Sequence, residues 1–138
     1  MESTGMALTG LAVLVALLEF FVFGLQVGMA RGRYGVEAPA TTGHPEFERY
    51  FRVHMNTLEQ LLMMVPSAFL FAYFVGDKWA AGAVAVFIVG RVVYARSYVA
   101  NPASRGAGFG MTVLPTLIMA IGSIIAIVMA LLSSGATA

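Results

Sequence analysis

Four long, predominantly apolar segments, at about residues 6–29, 46–75, 79–99 and 109–132, constrain this chain more than any other feature. Each reaches the roughly 20 residues that a helix rising 1.5 Å per residue needs to cross about 30 Å of hydrocarbon. Of the 138 residues, 59% are hydrophobic and only 11% are charged, far from the balance of a water-soluble globular domain. The expected fold class is all-α, an integral membrane four-helix bundle in which residues 1–138 form a single four-transmembrane-helix domain. Met1 to Gly5, ahead of the first segment, include no Lys or Arg. The apolar run that follows is also longer than the core of a secretory signal, so it is read as a retained helix.

The chain has no Cys, which excludes a disulfide framework, a thiolate metal site and a cysteine nucleophile. Any thiol chemistry must use a thiol brought by a ligand, and no metal site is expected. No basic patch points to nucleic acid. In the first segment Gly24, Gly28 and Gly32 recur every fourth residue, a spacing that lets helix backbones approach closely in lipid. Glu19 and Gln26, seven apart, are its polar exceptions. An intramembrane carboxylate needs a partner, and interhelical glue and a site role both remain open for Glu19.

The second segment enters the membrane carrying charge, in the stretch P-E-F-E-R-Y-F-R-V-H-M-N-T-L-E from Pro45 to Glu59. At about 100° of rotation per residue, Glu48, Arg49, Arg52, Asn56 and Glu59 fall within an arc of roughly 100°, and His54 points to the opposite side. Ionisable groups at membrane depth cost several kcal/mol unless they face protein or water. The stripe is therefore either a functional site or a set of interhelical ion pairs. Pro45 suits a first helical position, and Pro66 is expected to bend the helix midway.

Trp79 opens the third segment at an interface. Arg91, Tyr94 and Tyr98, three and four apart, place a guanidinium and two phenols on one helical face. Asn101 and Pro102 stop that helix, and Arg105 is read as lying in a short loop with Gly106, Gly108 and Gly110. Those glycines lack the strand-to-helix context of a nucleotide cradle. Four crossings put both termini on one side and both longer loops on the other. Of the eight Lys and Arg residues only Lys78 falls on the terminal side, so the loops, and the site they carry, are expected to be cytoplasmic.

Several arginines, two tyrosines, an amide and a carboxylate at one membrane boundary suit a small extended ligand bearing carboxylates and an ammonium group. Arg52 to Glu59 span about 10 Å of helix axis, comparable to an extended tripeptide.

The run T-T-G-H-P-E-F-E-R-Y-F-R-V-H-M-N-T-L-E from Thr41 to Glu59, with R-V-V-Y-A-R-S-Y from Arg91 and P-A-S-R from Pro102, resembles the MAPEG family of membrane-associated proteins in eicosanoid and glutathione metabolism. The resemblance covers the whole chain. It implies a homotrimer of four-helix subunits, with glutathione as cosubstrate in clefts between neighbours; the chain's brevity and bare loops point to a microbial member, whose site would be the cytoplasmic membrane. It assigns Arg52, Asn56, Glu59, Tyr94 and Tyr98 to glutathione contacts, with Arg31 supporting and His54 at the subunit boundary. Arg105 matches the arginine thought to stabilise the glutathione thiolate.

The implied activity is glutathione transfer to lipophilic electrophiles from the bilayer, with glutathione-dependent peroxidase activity beside it. A non-catalytic lipid-binding scaffold of the same family is the alternative. Two positions depart from the family's mammalian leukotriene synthase: Gly32 replaces a second arginine and Gln60 a tyrosine. A third, His54, stands for a glutamine. The first two departures weaken any transfer of that enzyme's lipid substrate to this chain.

Overall fold

The computed structural model describes residues 4–136. Its elements are α1 (Ala7–Tyr34), α2 (Pro45–Phe74), α3 (Asp77–Ala100), a single 3₁₀ turn (Pro102–Ser104) and α4 (Gly106–Ala136). All four helices are long and apolar enough to cross a membrane. Their outer faces carry exposed leucine, isoleucine and phenylalanine, such as Leu18 and Phe21 on α1 and Ile118 and Ile125 on α4. In lipid these faces meet their natural solvent.

Local chemistry fixes the helix ends. The first amides of α1, on Leu8 and Thr9, donate to the Asp77 carboxylate at 3.1 and 2.8 Å, which ties the start of α1 to the start of α3. Helix α1 runs five residues past the expected boundary at 29. Arg31 and Arg33 belong to its last turn, where cations oppose the helix dipole. It stops at Gly35, whose φ of 68° is the left-handed conformation that glycine adopts without a Cβ penalty. Helix α2 starts behind His44, whose Nδ1 accepts from the Glu46 amide at 3.1 Å, with Pro45 at the first position. Asn101 ends α3 and accepts from the Ala103 amide at 3.1 Å, opening the 3₁₀ turn.

Helices α2 and α3 form the middle of the bundle, with α1 packed against one side of the pair and α4 against the other. Val13, Leu61, Met64, Ala68, Phe71, Val84, Phe87 and Met119 make the main core. Apolar contact alone does not drive helices together in lipid, so close backbone approach matters more than in water. That approach occurs between α3 and α4. A Cβ on Gly108 would overlap the Tyr94 backbone, and one on Gly90 would lie 2.7 Å from Met111 Cβ. The glycine-rich stretch 106–110, expected to be loop, is therefore the first turn of α4, and Gly108 is required there by packing. Of the spaced glycines on α1, only Gly24 abuts another helix, with His54 Nε2 3.2 Å from its Cβ position. Gly28 and Gly32 meet nothing within 4 Å inside the subunit.

Candidate functional site

Near the start of α2 and the start of α4, a cleft of about 400 Å³ opens between these helices and the C-terminal half of α3. Helix α2 contributes Arg52, Asn56, Glu59 and Gln60, α3 contributes Tyr94, and the 3₁₀ corner and α4 contribute Arg105, Gly106 and Phe109. Positions 52, 56 and 59 meet here because four- and seven-residue steps return to one helical face. Arg52 and Glu59 pair through two parallel bonds, Nη1–Oε1 at 3.1 Å and Nη2–Oε2 at 3.3 Å, with both side chains about half exposed (48% and 50%). Asn56 is buried between them, and its Oδ1 has no hydrogen-bond partner among the described residues.

Tyr94 is buried, with its ring held from both sides. The Arg91 guanidinium lies 4.2 Å from its centroid, and the Tyr98 ring stacks at 5.6 Å with 12° between planes. Tyr98 thus supports Tyr94 from behind and is absent from the cleft wall. Arg91 shares a face with the tyrosines, as expected, and its guanidinium is completely buried. Its Nη2 and Nε donate to Thr57 Oγ1 at 2.8 and 3.2 Å, and its Nη1 to Thr112 Oγ1 at 3.3 Å. Each threonine hydroxyl passes its own hydrogen to a carbonyl one turn back, Thr57 to Val53 at 2.7 Å and Thr112 to Gly108 at 2.9 Å. One guanidinium therefore joins α2, α3 and α4 directly beneath the cleft. Glu19, on α1, is close enough to interact electrostatically with Arg91, and its Oε1 is buried without a hydrogen-bond partner among the described residues.

Arg105 is exposed at the cleft rim, where the 3₁₀ turn hands over to α4, and its carbonyl accepts from the Phe109 amide at 3.0 Å. The first turn of α4 contains no acidic residue, so its free amides add to the positive potential of Arg105 and Arg52. Gly106 and Phe109, which join the cleft wall, carried no chemical signal in the sequence.

Two candidates lie elsewhere in the subunit. Arg31 donates to the Ala40 carbonyl at 2.6 Å and covers the Phe47 ring at 4.8 Å, holding the α1–α2 loop. His54 stacks on Phe20 of α1, with centroids 4.4 Å apart. Arg49, part of the expected stripe, reaches Glu46 at 3.5 Å and the Val99 carbonyl at 2.9 Å, tying α2 to the end of α3.

The described residues thus form four helices long and apolar enough to cross a membrane, with one cleft lined by Arg52, Asn56, Glu59, Tyr94 and Arg105. The MAPEG family model matches residues 8–125. An uncharacterized protein of Synechocystis is 38% identical over 127 residues, 92% of this chain and 93% of that one. The Homo sapiens microsomal glutathione S-transferase 2 is 33% identical over 126 residues, 88% of this chain and 85% of that one. The Bos taurus leukotriene C4 synthase is 32% identical over 98 residues, 71% of this chain and 65% of that one. The chain belongs to the MAPEG family and is a multi-pass integral membrane protein.

Proposed function

We propose that this protein is a membrane-bound glutathione transferase, one four-helix domain per subunit, working as a homotrimer with its cleft on the cytoplasmic side. The observation that carries the reading is the meeting of Arg52, Asn56, Glu59, Tyr94 and Arg105 around one cleft. Glutathione presents two carboxylates, an ammonium group, two amides and a thiol. Arg52 takes a carboxylate as a bidentate partner, Glu59 takes the ammonium, and Asn56 pairs with an amide. In the free protein Arg52 and Glu59 satisfy each other, so binding exchanges one internal ion pair for two to the ligand.

Arg105 is assigned to sulfur. A thiol is mostly protonated at neutral pH, and a fixed guanidinium beside it raises the thiolate fraction. The thiolate attacks an electrophilic carbon of a lipophilic substrate arriving from the bilayer. A C–S bond forms and the leaving group departs with the electron pair. Toward a hydroperoxide the same thiolate would attack the terminal oxygen, breaking the O–O bond to release the alcohol and leave a sulfenic acid, which a second glutathione thiol would convert to the disulfide and water. Arg31 and His54, remote from the cleft in their own subunit, are proposed to reach a neighbour's cleft in the trimer.

The test is conjugation of a generic aryl halide by detergent-solubilised protein, run beside calorimetric glutathione binding. Turnover with binding supports the transferase. Binding without turnover of any electrophile or hydroperoxide would indicate the lipid-binding scaffold, and absence of binding would refute both the pocket and the cosubstrate.

A further inference from the structure

Sharing Gly106 with the cleft, α3 and α4 line a second groove of about 680 Å³. Its walls are apolar, with Val86 facing Leu114 and Ile118, and its floor is open where Gly82 and Gly110 lack side chains. A Cβ at either glycine would meet nothing within 4 Å, so the space is real and unfilled by the subunit. The α4 wall from Gly106 to Ile118 covers about 18 Å at 1.5 Å per residue. Because α3 and α4 run antiparallel, Lys78 and Trp79 lie at one end of the groove and Gly106 at the other, which gives it length enough for an extended acyl chain.

The mouth of the groove carries one charge. Lys78 is exposed there beside Trp79, which is 69% exposed. The adjacent Asp77 is turned away and occupied by the Leu8 and Thr9 amides, leaving Lys78 in no ion pair among the described residues. An apolar groove with an exposed ammonium and an indole at the α3 start complements one kind of molecule. We infer that it seats an acyl chain of an anionic bilayer phospholipid, with the phosphate at Lys78, the glycerol region against Trp79, and the chain running past Ile118 toward Gly110. This groove shares Gly106 with the cleft but uses none of the side chains assigned to glutathione.

Trp79 is the only tryptophan in the chain and reports on the mouth directly. The full-length protein is placed in phosphatidylcholine vesicles containing either phosphatidylglycerol or phosphatidylcholine brominated near the top of the acyl chain, and quenching of Trp79 is followed against mole fraction. The expected result is half-maximal quenching by phosphatidylglycerol at about five-fold lower mole fraction, the factor that corresponds to about 1 kcal/mol per lysine. Lys78→Gln should abolish that preference. The double change Gly82→Leu and Gly110→Leu fills the groove and should abolish it too, with helical content unchanged. Equal quenching by both lipids in the wild type would overturn the inference. So would a preference that survives the two leucines, which would mean charge attraction at an unstructured surface. Protection of Trp79 from both lipids would also overturn it, by showing that a second copy of the chain covers this face.

Discussion

Arg52 and Glu59 face each other across two turns of α2 and close a two-bond ion pair at 3.1 and 3.3 Å, half open to solvent. A pair this exposed contributes about 0–1 kcal/mol to folding. Arg52→Ala should therefore leave the thermal midpoint of the solubilised protein nearly unchanged. It should weaken glutathione binding by about 10- to 150-fold, because a hydrogen bond to a charged group contributes about 1.5–3 kcal/mol. Calorimetry reads this directly, and normal affinity in the variant would remove Arg52 from the site.

Glu59 should discriminate among ligands. Glu59→Gln keeps a hydrogen-bond acceptor but loses the charge that attracts an ammonium group. Its affinity for intact glutathione should fall, while its affinity for the deaminated analogue should equal or exceed that of the wild type. Parallel losses for both ligands would place the ammonium elsewhere.

Arg91 and Glu19 should be coupled. Glu19 senses the Arg91 charge without an ion pair between them, and residues that interact show non-additivity of about 0.5–3 kcal/mol. Arg91→Met alone should lower stability more than Arg91→Met made in a Glu19→Gln background. Additive losses in the four-member cycle would show that the carboxylate and the guanidinium do not sense each other.

The glycines separate into two groups. Gly108→Ala forces a Cβ into the Tyr94 backbone and should destabilise by about 1–3 kcal/mol, with Tyr94 displaced from the cleft. Gly28→Ala enters open space within the subunit and should stay within about 0.5 kcal/mol. Thermal midpoints of the two variants decide between these positions.

Much of this arrangement was legible in the residues. The four crossings follow from apolar length, and Arg52, Asn56 and Glu59 follow from their spacing on one helix. The misjudged features share a physical cause. The first helix is expected to end at 29, where the apolar run stops, yet long basic side chains such as Arg31 and Arg33 belong in a last turn at the membrane edge. Gly106 to Gly110 looked like loop because glycine is a poor helix former, and the need for a close α3–α4 crossing is a tertiary fact. Arg91 shares a helical face with Tyr94, and no spacing rule foretells that its guanidinium turns inward to Thr57 and Thr112.

The central claim is that Arg105 holds the glutathione sulfur as a thiolate, and the ultraviolet absorbance of bound thiolate, titrated against pH, tests it most directly. In the wild type the bound thiol should ionise well below the ordinary value of about 8.5. Arg105→Ala should still bind glutathione while its thiol returns toward that value. Each unit of return removes about 1.4 kcal/mol of thiolate stabilisation, partly offset because a more basic thiolate is the better nucleophile. The rate deficit at neutral pH should therefore shrink as pH rises through the thiol pKa of the variant. Superimposable titration curves for wild type and Arg105→Ala would contradict the account and assign Arg105 to substrate placement or to anchoring the corner before α4.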